Sequence, residues 1–77
     1  MGSRLPTIGS RDVTKALERV GFAQVPGRGK GSHTFLYRED PPTGITVPQA
    51  NPVSRGTLRA IIRQAGLTVD EFLKLLK

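Results

Sequence analysis

One histidine, His33, is the residue best suited to chemistry in this chain, and it lies where a glycine-rich basic loop leads into a strand. An imidazole has an unperturbed pKa of about 6.5, so it can both accept and donate a proton near neutral pH. The loop before it carries Arg28 and Lys30, whose positive charges attract phosphate groups. On spacing alone two interpretations stay open: proton transfer on a nucleic acid, or an ordinary half-buried polar residue at the start of a strand.

Several other kinds of chemistry lack the residues that they need. The chain has no cysteine, which excludes disulfides, thiolate zinc sites and a cysteine nucleophile. No pair of carboxylates has a spacing typical of glycosidases or metal sites, and Ser32 beside His33 does not make a nucleophile triad. Gly27, Gly29 and Gly31 lead into a strand, whereas phosphate-binding glycine loops lead into a helix. Because one histidine cannot build a metal site alone, we expect no metal and no cofactor.

The distribution of positive charge favours a polyanionic partner. Twelve lysines and arginines stand against six acidic residues, for a net charge of +6. Two stretches, residues 19–38 and 41–69, contain cations and no acid, and such a surface attracts polyanions and speeds their association. A basic surface that serves only solubility is the alternative. The cations of the two stretches are Arg19, Arg28, Lys30, Arg38, Arg55, Arg59 and Arg63.

Three segments have apolar residues at helical spacing. The first helix is expected to begin with Ser10 as its cap and the second with Ser54, and each ends at a glycine. A third, short helix follows a capping box made by Thr68 and Glu71. The apolar positions are Val13, Ala16, Leu17 and Val20, then Leu58, Ile61, Ile62 and Ala65, then Val69, Phe72, Leu73 and Leu76.

The first two helices also carry cations at every fourth position, outside their apolar faces. All six are positive, whereas a solvated helix face more often mixes both signs. The pattern therefore favours contacts with phosphates, and the solvated face stays open as the alternative. The cations are Arg11, Lys15 and Arg19 in the first helix and Arg55, Arg59 and Arg63 in the second.

Three strands are expected between the first and second helices, at residues 22–25, 32–38 and 45–47, with a turn over residues 39–44. The short connections favour an antiparallel meander. Alternation along the second strand places His33, Phe35 and Tyr37 on one face and Leu36 on the other. We expect Phe35 in the core and leave Tyr37 open between the core and stacking on RNA bases.

The element order α-β-β-β-α-α predicts an α+β fold. A three-stranded antiparallel sheet with all helices on one face buries every apolar stripe at once. No apolar stretch reaches the about 18–20 residues that span a bilayer, and the N-terminus lacks the plan of a secretion signal. We expect a soluble, cytoplasmic protein with no membrane partner. Residues 1–3 are either natural or a cloning remnant, and they are left out of the fold prediction.

Six short motifs occur in a fixed order along nearly the whole chain. They are Leu5-Pro6-Thr7, Gly21-Phe22, Gly31-Ser32-His33, Thr46-Val47-Pro48, Arg55-Gly56-Thr57-Leu58 and Gln64-Ala65-Gly66-Leu67. In this order and spacing, the set resembles the HicA-type toxins of bacterial toxin–antitoxin pairs. The resemblance implies one domain over residues 4–77 with a fold like that of double-stranded-RNA-binding domains.

The same resemblance implies a function. It implies an endoribonuclease that cleaves mRNA independently of the ribosome, with His33 as the catalytic residue, and a HicB-type antitoxin as its protein partner. We expect a monomer when the toxin is free and a hetero-oligomer with the antitoxin. The candidate RNA contacts are Arg28, Lys30, Ser32, Arg55 and Arg59. Two alternatives stay open: a non-catalytic RNA-binding module, and a domain whose charge matches an acidic protein.

Overall fold

A computed structural model describes residues 4–27, 31 and 33–77 of the chain. Its elements are α1 (Ser10–Glu18), β1 (Ala23–Gln24), β2 (His33–Glu39), β3 (Pro42–Pro48), α2 (Arg55–Gln64) and α3 (Val69–Leu75). The strands form one antiparallel sheet in the order β1-β2-β3. The predicted element order, the meander and the α+β class are confirmed. Within the described ranges, no helix is long and apolar enough to cross a membrane.

The core lies between the helices and one face of the sheet. Leu36 of β2 is fully buried beside Ile45 and Val47 of β3. The apolar stripes of the helices complete this core, and burying each large side chain stabilises the fold by roughly 1.5–3 kcal/mol. The buried helical residues are Val13, Ala16 and Leu17 in α1, Leu58, Ile61 and Ile62 in α2, and Phe72 in α3.

Two of the predicted helix caps are confirmed. The Ser54 hydroxyl accepts a hydrogen bond from the Thr57 backbone N–H over 3.3 Å. At the start of α3, the Thr68 hydroxyl accepts from the Glu71 N–H over 3.1 Å, and the Glu71 carboxylate accepts from the Thr68 N–H over 2.8 Å. Gly66, with φ +76°, follows α2 in the left-handed conformation that ends many helices.

The prediction that Ser10 caps α1 is wrong. Gly9 occupies the cap position, Ser10 is the first helical residue, and no side chain caps the helix. Instead, the Ser10 N–H donates to the Ala50 carbonyl over 2.9 Å. A Cβ at Gly9 would lie 2.9 Å from Asn51 Oδ1, so glycine lets the loop after β3 approach closely. A carbonyl that is distant in sequence thus replaces the local side-chain cap.

The strands differ in length from the prediction. The turn expected over residues 39–44 contains only Asp40 and Pro41, because β3 already begins at Pro42. β3 pairs with β2 alone and is therefore an edge strand. Proline is tolerated in edge strands and as the first residue of a strand, and Pro42 meets both conditions. β1 is shorter than residues 22–25, although the Val25 N–H still donates to the Phe35 carbonyl over 2.9 Å.

Phe35 does not lie in the core, contrary to the prediction. Because side chains alternate along a strand, burial of Leu36 places Phe35 on the opposite face, where it is half-buried. Its ring lies across Gly44, since a Cβ at that position would come within 2.7 Å of Phe35 Cζ. Tyr37 lies further along the same face and is 39% exposed. This face therefore carries both aromatic side chains of β2.

Candidate active site and the adjoining cleft

His33 is the first residue of β2 and lies opposite Pro48 of β3. Its side chain is exposed, and the strand alternation places it on the same face as Phe35. Gly31 precedes it by two residues and has a φ of +52°, a left-handed conformation that glycine adopts without steric cost. The chain therefore enters β2 through a turn that favours glycine.

The His33 depression is shallow, with a volume of about 250 Å³. It lies at the end of the sheet where β1 finishes and β2 starts. Such an open surface admits a strand of nucleic acid more readily than a small molecule that needs enclosure. The residues that line it with His33 are Gln24, Val25, Pro26, Gly27, Thr34 and Phe35.

The other predicted site residues have different positions. Arg28, Lys30 and Ser32 lie outside the described residues. Arg55 and Arg59 are exposed on α2, and Arg59 lines another depression, formed by the end of α2 and the start of α3. The structure therefore does not place the α2 arginines in the His33 depression.

Arg38, a cation of the first basic stretch, is engaged in packing. The Arg38 guanidinium donates to Thr43 Oγ1 over 3.2 Å and to the Ala65 carbonyl over 3.5 Å. Its Cζ lies 4.5 Å from the centroid of the Phe22 ring, a geometry that allows a cation–π interaction. Arg38 therefore connects the sheet with the end of α2 and with the start of β1.

A larger polar cleft, of about 600 Å³, separates α1 from the same end of the sheet. Its lining includes Arg11 and Lys15, which are exposed and lie one turn apart on α1. Two hydrogen bonds order its polar side chains. Gln49 Nε2 donates to Thr34 Oγ1 over 3.4 Å, and Gln24 Nε2 donates to Glu18 Oε2 over 3.5 Å.

The cleft and the His33 depression adjoin, because Gln24 and Thr34 line both of them. Sequence reasoning did not find this cleft. The four-residue spacing of Arg11 and Lys15 was its only local signal, since the glutamines reach it from the ends of separate strands. In the described part of the chain, no group of three or more His, Cys, Asp or Glu side chains could hold a metal ion.

Comparison with known proteins identifies the family. The family model described as "HicA toxin of bacterial toxin-antitoxin" matches residues 10–67. This range runs from the start of α1 past the end of α2 and includes His33. A search of curated protein sequences found no match. Because the family model covers well over half of the 77 residues, the chain belongs to the HicA family, the toxins of bacterial toxin–antitoxin pairs, whose partner is an antitoxin.

Proposed function

We propose that this toxin is a metal-independent endoribonuclease that cleaves mRNA in the cytoplasm, with His33 as its catalytic residue. The observation that carries the proposal is the exposure of His33 in an open depression at the end of the sheet. A buried imidazole could not reach a substrate as large as RNA. Membership of a toxin family supports an activity that harms the cell.

RNA supplies its own nucleophile, the ribose 2′-hydroxyl, so cleavage can proceed without a metal. The 2′-oxygen loses its proton and bonds to the adjacent phosphorus while the bond from phosphorus to the 5′-oxygen breaks. The 5′-oxygen takes up a proton, and the products are a 2′,3′-cyclic phosphate and a 5′-hydroxyl. His33 would remove the first proton or supply the second, and positioned proton transfer contributes about 10²–10⁴-fold in rate.

The second proton transfer needs another group, because the chain has no other histidine. Tyr37 lies further along the same face of β2 and is 39% exposed, and water or Lys30 are the other candidates. Arg28, Lys30 and Ser32 would stabilise the charge that develops on the phosphate. Arg55 and Arg59, exposed on α2, would contact phosphates further along the RNA.

The decisive experiment compares the wild-type protein with His33→Ala on RNA in the presence of EDTA. Wild type should produce fragments that end in 2′,3′-cyclic phosphates, whereas His33→Ala should give none and should still fold and bind RNA. Circular dichroism and fluorescence anisotropy check folding and binding. RNA with 2′-deoxyribose at the cleaved position should resist wild type, because its nucleophile is missing.

The other outcomes would contradict the proposed function or the role of His33 in it. Intact RNA held in a salt-sensitive complex with wild type would indicate a non-catalytic RNA-binding module. The absence of any RNA affinity at low salt would indicate an interaction domain for an acidic protein. Full cleavage by His33→Ala would remove this histidine from the mechanism.

We further propose that the antitoxin is of the HicB type and that it covers His33 in a hetero-oligomer, while the free toxin is a monomer. A nuclease of mRNA would harm its host unless its active site were masked. The whole chain is basic, with a net charge of +6, and Arg28 and Lys30 precede His33 closely in the sequence. The antitoxin should therefore present acidic side chains or backbone carbonyls to the toxin.

A further inference from the structure

The cleft between α1 and the sheet has the composition of a phosphate-binding surface. It is polar, and two exposed cations, Arg11 and Lys15, project from one helix. Side chains four residues apart on a helix are neighbours, about 5–6 Å apart at their Cβ atoms. That distance is close to the separation of consecutive phosphates along an RNA strand. The two cations can therefore contact neighbouring phosphates of one strand.

The position of the cleft relates it to the proposed active site. Gln24 and Thr34 line both the cleft and the His33 depression, so one continuous surface joins Arg11 and Lys15 to His33. Amide and hydroxyl side chains along this path can bond to phosphate and ribose oxygens without selecting a base. Gln49 adds a second amide, which is held against Thr34.

We infer that this cleft binds the phosphates of the RNA strand on one side of the scissile bond, with Arg11 and Lys15 as the charged contacts. The inference rests on the proposed nuclease function and adds a binding subsite to it. Arg11 and Lys15 are positioning residues, because they act on the flanking strand and not on the reacting atoms. Their contacts exist before and during the reaction alike, so they should lower KM and leave kcat nearly unchanged.

Glu18 restricts where a phosphate can bind in the cleft. It is the acidic residue in the lining, and its carboxylate accepts the hydrogen bond from Gln24. A negative charge repels phosphate, so the bound strand should pass Arg11 and Lys15 and stay clear of Glu18. Glu18→Gln keeps the side-chain size and an oxygen that can accept from Gln24. This variant should bind RNA about two- to threefold more tightly than wild type.

The test measures binding of an uncleaved RNA strand to the double variant Arg11→Ala, Lys15→Ala in a His33→Ala background. Fluorescence anisotropy should show affinity at least fivefold weaker than that of His33→Ala alone. Because each single-strand phosphate contact contributes about 0.7 to the slope of log K against log salt, the slope should become shallower by about 1.4. With His33 present, the double variant should show a raised KM and an unchanged kcat.

The matched control is Arg19→Ala, Lys74→Ala, which removes the same charge. Arg19 is the next cation in the four-residue series and directly follows α1, but neither it nor Lys74 lines the cleft. The control should bind RNA within about twofold of its parent. Equal weakening in both double variants would overturn the inference, because it would attribute binding to net charge.

Unchanged RNA affinity in Arg11→Ala, Lys15→Ala would also overturn the inference. If the same variant captured the antitoxin more weakly, the cleft would be a protein contact. Failure of the nuclease function is a separate result, since it appears as intact RNA with the wild-type protein. Binding in the His33→Ala background does not depend on cleavage, so the two failures are distinguishable.

Discussion

The Phe35 ring, on the same face of β2 as His33, packs over Gly44 of β3. Phe35 pairs with Thr46 in the sheet, and Gly44 pairs with Tyr37, so the Phe35 ring reaches its diagonal neighbour on β3. The ring covers the place where a side chain at position 44 would stand. Since Phe35 also lines the His33 depression, the absence of a side chain at position 44 helps to shape the candidate active site.

Gly44→Ala should therefore destabilise the protein and disturb its site. The new Cβ would lie 2.7 Å from Phe35 Cζ and 3.0 Å from Cε1, and overpacking of this kind costs about 1–3 kcal/mol. Alanine in place of a strand glycine stabilises the folded state by roughly 0.5–1 kcal/mol. We therefore expect the free energy of unfolding, measured in urea, to fall by about 1 kcal/mol in total. We also expect a lower kcat/KM on RNA. In a Phe35→Leu background, the same change should be neutral or stabilising. A loss that is equal in both backgrounds would show that the ring is not its cause.

At the scale of elements, α3 depends on its N-terminus more than a longer helix would. It spans only Val69–Leu75, and isolated helices of this length do not form in water. Its supports include the capping box of Thr68 and Glu71 and the fully buried side chain of Phe72. α3 lies beyond the matched family range of residues 10–67 and packs against α1 and α2.

Removal of the cap should lower stability and leave RNA cleavage intact. Thr68→Ala loses the oxygen that accepts from the Glu71 N–H, which costs about 1 kcal/mol in typical helix caps. Thr68→Ser keeps the hydroxyl and should stay within about 0.3 kcal/mol of wild type. Urea unfolding measures both. Thr68 lines neither the cleft nor the His33 depression. A large fall in RNA cleavage at equal folded fraction would therefore contradict a role for Thr68 in stability alone.

At the scale of the whole molecule, the small size of the domain means that its binding sites lie on the surface. A chain of 77 residues buries a limited share of its surface when it folds and cannot enclose a deep substrate cavity. The helices pack against one face of the sheet and form the core with it. The other face, with His33, Phe35 and Tyr37, and the adjoining α1 cleft are left for contacts with large partners. RNA and the antitoxin would then compete for the same surface.

Mixing the toxin with its antitoxin should therefore abolish RNA cleavage. We expect slower hydrogen exchange in the segments that line the His33 depression, because the antitoxin would cover them. The rate of association should fall as salt rises, since a chain of charge +6 attracts an acidic surface at long range. The His33→Ala toxin serves as the control that does not cleave RNA, and it should still bind the antitoxin. A stable complex that still cleaves RNA would show that the antitoxin binds elsewhere.

Local interactions were predictable from the sequence. The apolar stripes of the helices, the Ser54 cap and the box of Thr68 and Glu71 all depend on residues within about four positions of one another, so their patterns are visible in the chain. His33 was identified as the candidate for proton transfer because it is the one histidine, and its catalytic role was implied by the resemblance to HicA-type toxins. The order of helices and strands followed from the same short-range patterns.

Only the tertiary structure decided which face of β2 is buried and what lies beside His33. Leu36 and Phe35 are both apolar, and the choice between them depends on which face packs against the helices. Strand pairing brings the side chains of Gln24, Thr34 and Gln49 to one end of the sheet. Packing of α1 against the loop after β3 places the Ala50 carbonyl against the Ser10 N–H. Contacts of this kind join residues that are far apart in sequence, so no local pattern encodes them.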